Sequence, residues 1–242
     1  LAGTHSNALA APVAARYPGS RGVFNVLGGS FSAGWGYLVG EQGIGVLNVG
    51  NAGFNIASGA NGLALGGWQS NGDIGTGTVN LAAGAIVTAQ FVRKGATNAS
   101  SASLNFDGGT LRAAINTATF LQGLDSALVW PGGATLDAAT LNIPVAQPLR
   151  APSGSGVANI PVAAGGVGYI GPPLVVLSGG GGAEATAYAQ IDAAAGTVTN
   201  LVVTSAGENC ASPPSVTLMG GGGTGAAAGT PVLAANASGS LT

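Results

Sequence analysis

Charged residues are scarce in this sequence. Only 6% of its 242 residues are Asp, Glu, Lys or Arg, whereas about a quarter is usual in soluble domains. The six basic residues are scattered, with Arg93 and Lys94 as their one adjacent pair, so the sequence offers no basic stripe for nucleic acid. The formal net charge is −2. We therefore expect no nucleic-acid partner and little electrostatic repulsion between copies of the chain.

Cysteine and histidine each occur once. Cys210 has no second cysteine with which to form an internal disulfide, and no histidine or cysteine lies near it to share a metal. His5 has no second imidazole for a metal site, and a Ser-His-Asp arrangement would depend on this one residue in a segment that reads as a tail. The sequence therefore predicts no catalytic, cofactor-binding or metal-binding residues.

Long apolar runs are also missing. Mean hydropathy is +0.45, yet no stretch approaches the roughly 18 uninterrupted apolar residues of a membrane-spanning helix. The residues that follow Leu1 do not show the charged segment and apolar core of a signal peptide. We therefore expect no transmembrane segment, and we interpret the chain as a processed or excised product from which any export signal has been removed.

Glycine and proline, in contrast, are abundant, with 45 Gly and 12 Pro. An interior glycine costs a helix about 1 kcal/mol relative to alanine, and proline costs about 3 kcal/mol. Short strands joined by tight turns fit this composition better than helices do. Aromatic residues make up only 5% of the chain, and the small apolar side chains that remain suit thin, closely stacked layers.

Short apolar runs punctuated by Gly, Asn, Ser and Pro continue from residue 23 to residue 150. Strand-and-turn units of this length are typical of a β-solenoid, in which each strand buries one face in a stacked column. We predict an extended arm over residues 1–22, a solenoid over 23–150 and a separate β module over 151–242. The predicted strands are 23–27, 46–49, 63–65, 79–81, 86–92, 104–106, 110–113, 128–130, 134–136 and 141–145.

The last third of the chain contains an internal repeat. Residues 159–199 and 200–240 align at a period of 41 residues. Within each copy the runs 174–177 and 185–191 match 215–218 and 226–232, so each copy should contain two or three strands. The aligned pairs include Asn159 with Asn200, Gly166 with Gly207, Pro173 with Pro214, Leu177 with Leu218, and the glycine runs 179–182 and 220–223.

Two segments resemble a known family. SLNFDGGTLRAA and GGATLDAATLNIPVAQPL, within residues 103–149, resemble autotransporter-associated β-strand repeat proteins, which are large exported bacterial passengers. The tail resembles the glycine-rich GYxxxPxVxLSGGGG repeats of the same kind of protein, although Cys210 stands where the first copy has Tyr169. The resemblance implies a β-solenoid at the bacterial cell surface or outside the cell, and adhesins and matrix components both have this architecture.

Candidate chemistry is sparse. Asp107, Asp125 and Asp137 are the acids that stacked coils would best bring together, although turn hydrogen bonding explains them more simply. Asn71, Gly72 and Asp73 offer oxygen ligands for calcium. The glycine runs lack the Lys and Ser or Thr of a phosphate-binding loop. A sugar-stacking face would need several aromatic residues on one side, drawn from Trp35, Trp68, Trp130, Tyr17, Tyr37, Tyr169 and Tyr188.

Self-assembly is the function that these features favour. A solenoid ends in unpaired backbone groups, and the sequence contains no charged segment that would cap them. We expect a non-enzymatic filament protein of the cell surface or biofilm matrix, whose partners are copies of itself, with residues 1–20 or 231–242 adding a strand to a neighbour. Two alternatives remain, an adhesin or carbohydrate-binding passenger that recognises surface glycans, and a polysaccharide-degrading β-helix enzyme.

Overall fold

The computed structural model describes residues 4–7, 13–56, 62–67, 73–95 and 99–242. Every regular element in this part of the chain is a β-strand. The first sixteen strands form three parallel sheets that the chain visits in a fixed order. This arrangement is a β-solenoid, so the all-β fold and the solenoid architecture expected from the sequence are confirmed.

Each coil of the solenoid contributes one strand to each sheet. Sheet A has the order β1 (Thr4–Asn7), β4 (Ser30–Ala33), β7 (Gly53–Ile56), β10 (Ile86–Ala89), β13 (Gly109–Ala113) and β16 (Ala134–Asp137). Sheet B has the order β2 (Val13–Ala14), β5 (Tyr37–Val39), β8 (Leu63–Leu65), β11 (Val92–Lys94) and β14 (Leu121–Gln122). Sheet C has the order β3 (Arg21–Val26), β6 (Ile44–Val49), β9 (Thr76–Ala82), β12 (Ser101–Asp107) and β15 (Ser126–Val129).

Alternate positions of each strand face the core. In sheet C, Leu47 lies opposite Val79 and Val79 lies opposite Leu104, and all three side chains are buried. In sheet A the same role falls to Phe54 and Val87, which are register partners. Burying one such side chain stabilises the fold by about 1.5–3 kcal/mol, so stacked apolar columns supply most of the stability of the solenoid.

The FDGGTL and GGATLD segments form the corner between sheets C and A. Gly108 and Gly133 have φ values of 93° and 84°, and residues with a Cβ rarely adopt such values. After the corner, Thr110 lies opposite Thr135 in parallel register. The Asp107 carboxylate accepts a hydrogen bond of 2.8 Å from the Gly132 N–H in the next coil. The motif therefore turns the chain and ties neighbouring coils together.

A last, partial coil follows β16. Val145 pairs with Leu121 in sheet B and Arg150 pairs with Leu128 in sheet C, whereas the sheet A position is filled by Leu241, which pairs with Ala134. Residues 152–237 are inserted between the last two of these positions. The chain accordingly divides into two compact units, Leu1–Ala151 with Ser238–Thr242, and Pro152–Ala237.

The second unit consists of antiparallel strand pairs nested within one another. The chain runs outward through four strands and returns through four more, so that the first pairs with the last. The pairs are β17 (Ser155–Asn159) with β24 (Val232–Ala235), β18 (Val162–Val167) with β23 (Thr224–Ala228), β19 (Leu174–Ser178) with β22 (Ser215–Met219), and β20 (Thr186–Asp192) with β21 (Thr197–Ser205).

A local two-fold relation underlies this nesting. In the β19–β22 pair, Leu174 lies opposite Met219 and Ser178 lies opposite Ser215. Because Ser215 and Met219 are the 41-residue equivalents of Leu174 and Ser178, exchanging the two repeats leaves the pairing unchanged. The bulge in β20–β21 between Thr186 and Ala187 likewise recurs in β18–β23. The sequence repeat therefore corresponds to two structural halves that pair with each other.

Parts of the solenoid differ from the sequence-based expectations. The predicted arm contributes β1, β2 and the start of β3, which pair within the solenoid. A segment of two to six residues can form a strand here because the next coil offers a strand to pair with. The predicted run 86–92 is divided between β10 and β11, since the chain turns from sheet A to sheet B within it. The run 141–145 forms no strand beyond the Val145 bridge.

Candidate functional site

A ladder of asparagine side chains runs along sheet C. Asn48 donates to the Oδ1 of Asn25 at 2.7 Å, Asn80 donates to Asn48 at 2.7 Å, and Asn105 donates to Asn80 at 2.8 Å. Asn48, Asn80 and Asn105 are buried. The indole N–H of Trp130 donates to Asn105 Oδ1 at 3.0 Å and ends the ladder. Burying an amide is costly unless it is hydrogen-bonded. The ladder therefore favours the register in which the asparagines of successive coils lie next to one another.

Aromatic rings close the core at the beginning of the solenoid. Phe31 stacks on Phe54 with ring centroids 5.1 Å apart, and the Tyr37 ring meets Phe54 edge to face at 5.1 Å. Phe24 lies edge to face against Phe31 at 5.2 Å. Burial raises the pKa of the Tyr37 phenol. These four rings supply the bulk at one end of the core, whose other members are aliphatic side chains together with Phe106 and Phe120.

The first strand of sheet C is more exposed than the strands behind it. Among the described residues, β3 pairs with β6 alone. Val23 and Phe24 are half-buried, whereas their register partners Val46 and Leu47 in β6 are buried. An edge strand of this kind presents backbone donors and acceptors to another strand. It is therefore the candidate assembly surface of the first unit.

The opposite end of the solenoid is covered by residues of the same chain. The N–H groups of Ala146 and Gln147 bond to Leu121 O in sheet B. The N–H of Ala134 bonds to Ser240 O at 2.9 Å in sheet A. Residues 238–242, which belong to the segment 231–242 that we expected to add to a neighbouring copy, thus pair within their own chain. The two ends of the solenoid are unlike each other as a result.

The outer face of sheet A carries a column of polar residues. Ser32 lies opposite Asn55, Asn55 lies opposite Thr88, Thr88 lies opposite Arg112, and Arg112 lies opposite Asp137. All five side chains are half-buried. Because parallel strands are about 4.8 Å apart, the column presents hydroxyl, amide and charged groups at regular intervals. This outer face is the second candidate surface.

Comparisons with protein-family models, with curated proteins and with solved structures find no match. The architecture is therefore established by the strand pairing alone, and the resemblance to autotransporter-associated repeats rests on the motifs in the sequence.

The three aspartates considered as a catalytic group occupy different corners. Asp107 ends β12 between sheets C and A, Asp125 precedes β15 between sheets B and C, and Asp137 ends β16 in sheet A. Asp125 accepts a hydrogen bond of 2.8 Å from Ala102 N–H and pairs with Lys94 Nζ at 2.7 Å. The structure does not bring these carboxylates into one groove.

Ion pairs link neighbouring coils. Arg16 pairs with Glu41 at 2.9 Å, and Arg112 pairs with Asp137 at 2.6 Å. The pKa of Asp137 is lowered by the hydrogen bond from Arg112 and by a second hydrogen bond from the backbone of Ala139. In both of these pairs the cation belongs to one coil and the acid to the next. Together with the Lys94–Asp125 pair, these ion pairs therefore tie neighbouring coils together.

The remaining candidate residues do not converge. Asn71, Gly72 and Trp68 lie outside the described residues, and Asp73 accepts a hydrogen bond of 2.7 Å from Gln42. His5 lies in β1. Within the described ranges no three His, Cys, Asp or Glu side chains are grouped to hold a metal ion, and no helix has the length and apolarity to cross a membrane.

The aromatic residues form no continuous strip in the described part of the chain. Tyr17 and Trp35 are 68% and 54% exposed. Trp130, Tyr37 and Tyr169 are buried, and Tyr188 is half-buried.

The asparagine ladder was not predicted from the sequence, because asparagine is a common turn residue. Unequal loops separate successive members by 23, 32 and 25 residues, which hides the pattern.

Proposed function

We propose that this chain is an extracellular structural protein whose copies associate head to tail into a surface or matrix filament. The observation that carries this proposal is the outer edge of β3, which no other strand in the described part of the chain covers. The Ser20 and Val26 carbonyls accept hydrogen bonds of 2.9 Å from the β6 side, so even-numbered residues of this segment face β6. Val23 therefore points its backbone groups toward the outer edge of the sheet.

The second unit supplies a strand that suits this edge. Among the described residues, β24 pairs only with β17, and Val232 is 52% exposed. When β24 of one copy pairs with β3 of the next, the two contacting surfaces differ, so the contact is heterologous and repeats without closing. Such an arrangement gives a filament with a direction.

Sparse charge supports association between copies. With 6% charged residues and a net charge of −2, long-range repulsion between molecules is weak. The extracellular location, in contrast, rests on the sequence resemblance of FDGGTL and GGATLD to exported autotransporter-associated repeats. The same resemblance suggests a bacterial cell surface or biofilm matrix as the setting.

Electron microscopy of purified protein tests the filament directly. Val23→Pro removes the outward N–H of β3 at an edge position where proline is tolerated, whereas Val23→Thr keeps that N–H. We expect fibres from the wild type and from Val23→Thr, and monomers from Val23→Pro with an unchanged far-ultraviolet circular dichroism spectrum. Fibres from folded Val23→Pro, or a wild type that sediments as a monomer at every concentration, would show the proposal to be wrong.

A second candidate function is glycan binding by the outer face of sheet A. The polar column from Ser32 to Asp137 offers the hydroxyl, amide and charged groups that hydrogen-bond sugars, repeated along parallel strands. A glycan array probed with the monomeric Val23→Pro variant separates this function from polymerisation. Glycan binding by Val23→Pro with an intact polar column, and loss of that binding when Asn55→Ala and Thr88→Ala are added, would support an adhesin.

A further inference from the structure

The two repeats of the second unit place different residues on equivalent backbone. Tyr169 in the first repeat corresponds to Cys210 in the second. The Tyr169 N–H donates to Gly196 O at 2.9 Å, and the Cys210 N–H donates to Ser155 O at 2.8 Å. Gly196 and Ser155 are themselves 41 residues apart. The hydrogen bonding of the main chain is therefore the same around the tyrosine and around the cysteine.

The residues that follow confirm this equivalence. Two consecutive N–H groups after Tyr169 bond to one glycine carbonyl, and two after Cys210 do the same with the equivalent glycine. These contacts are Ile170 and Gly171 to Gly221 O at 3.0 and 3.2 Å, and Ala211 and Ser212 to Gly180 O at 2.8 and 3.1 Å.

The Tyr169 ring fills its half of the unit. It is 5% exposed and belongs to the core cluster of the second unit. The ring lies directly over Gly223, where any Cβ would collide with it, and a Cβ on Gly166 would be 2.9 Å from ring atom Cε2. Glycines at these positions give the ring the space that it needs.

The other half has the same surroundings without the ring. Gly182 is the equivalent of Gly223, and the atom that a Cβ there would meet at 2.5 Å is Cys210 Sγ. Because the cysteine side chain ends at Sγ, the rest of the space that a ring would occupy is left open. A half-open cavity of about 130 Å³ lies there. Its lining combines Leu177, Ala185, Cys210 and Pro214 with the polar residues Ser178 and Glu184.

We propose that this Cys210 pocket binds a monocyclic aromatic ring of the size of phenol. The occupant is defined by Tyr169, which places a phenol ring in the equivalent position of the other repeat. An apolar protein cavity of about 150 Å³ binds benzene. The Cys210 pocket is slightly smaller but half-open, so the substituents of the ring can extend toward solvent. A thiol in contact with a ring is also favourable.

The site is independent of the filament proposed above. It lies within the second unit, and β3 contributes nothing to it. A ring held there buries apolar surface against Leu177 and Pro214. For a ligand of about eight non-hydrogen atoms, we expect a dissociation constant of about 1 mM.

The experiment uses p-cresol, which is the side chain of tyrosine as a free molecule. In the full chain, p-cresol should shift the amide resonances of residues 177–185 and 210–214 in a saturable manner. It should also slow the alkylation of Cys210 by iodoacetamide at least several-fold. Neither measurement requires a variant. Absence of saturable shifts at p-cresol concentrations up to about 10 mM would overturn the proposal.

Two variants test whether the ring fills the same space. Cys210→Tyr supplies the ring covalently, so it should abolish p-cresol binding and raise the midpoint temperature of thermal unfolding by about 4–8 °C. Cys210→Ala removes the thiol and keeps the pocket, so p-cresol should still bind. Undiminished binding to folded Cys210→Tyr would place the ligand elsewhere and contradict the proposal.

Discussion

Trp130 and Asn105 meet at the point where the asparagine ladder ends, with the indole N–H 3.0 Å from the amide oxygen. An indole nitrogen donates a hydrogen bond and accepts none. Trp130 therefore satisfies the last amide oxygen and offers no acceptor to a further amide. The ladder is closed at this end by the chemistry of one side chain, and it has a direction that runs from Trp130 to Asn25.

Replacing Trp130 by phenylalanine tests the closure. The ring bulk is largely kept, but the buried Asn105 Oδ1 loses its donor, so we expect the free energy of unfolding to fall by about 1–3 kcal/mol. Urea denaturation measures this change. Trp35→Phe is the matched control, because Trp35 is 54% exposed and its replacement should stay within about 0.5 kcal/mol. Equal effects of the two variants would contradict the assigned role.

A break inside the ladder should cost more. Asn80→Ala removes the donor to Asn48 and the acceptor of Asn105 in one step, and both partners are buried. We expect a loss of about 2–5 kcal/mol in chemical denaturation. Asn55→Ala, on the outer face of sheet A, should change stability by no more than about 0.5 kcal/mol. A loss below 1 kcal/mol for Asn80→Ala would argue that the ladder contributes little.

The Arg112–Asp137 pair predicts a shifted titration. Arg112 and the Ala139 N–H hold the pKa of Asp137 below its ordinary value. A depressed pKa in the folded state stabilises the fold above the unfolded pKa of about 4, and that stabilisation is lost as pH falls through the folded value. In Arg112→Gln, carbon-13 NMR should show the pKa of Asp137 rising. Arg16→Gln should leave it unchanged, and equal shifts in both variants would contradict a local cause.

The buried Tyr37 predicts sensitivity to alkali. Burial raises the pKa of its phenol, so the folded chain keeps a proton that the unfolded chain releases above pH of about 10. The stabilisation from this group is present below that pH and is lost as pH rises further. Denaturation midpoints should therefore fall less steeply with alkaline pH in Tyr37→Phe than in the wild type. Tyr17→Phe, at a residue 68% exposed, should match the wild type.

The strands that the sequence predicts best are those of sheet C. β9 and β12 alternate apolar and polar residues around Val79 and Leu81 and around Leu104 and Phe106, and β6 has four apolar residues in six. Six or seven residues are enough for such a pattern to show. The strands of sheet B are two or three residues long, which is too short for alternation to show. Most of them escape prediction for that reason, although 63–65 is found.

The division of the chain shows a similar limit. Composition shifts near residue 150 and predicts a boundary there, and the structure begins its second unit at Pro152. The return of residues 238–242 to sheet A leaves no local signal, because one bridge between Leu241 and Ala134 depends on a strand more than a hundred residues earlier.

An all-β chain of short strands with glycine at the corners, and a duplicated tail, can be predicted from the amino-acid sequence. Composition and the 41-residue repeat are properties of the sequence that need no knowledge of distant contacts. The tertiary structure decided which strands share a sheet, that four distant asparagines form one ladder, and that Tyr169 and Cys210 occupy equivalent places with and without a ring. These relations depend on loop lengths and on packing between residues far apart in sequence. The packing between distant residues is therefore known only from the folded chain.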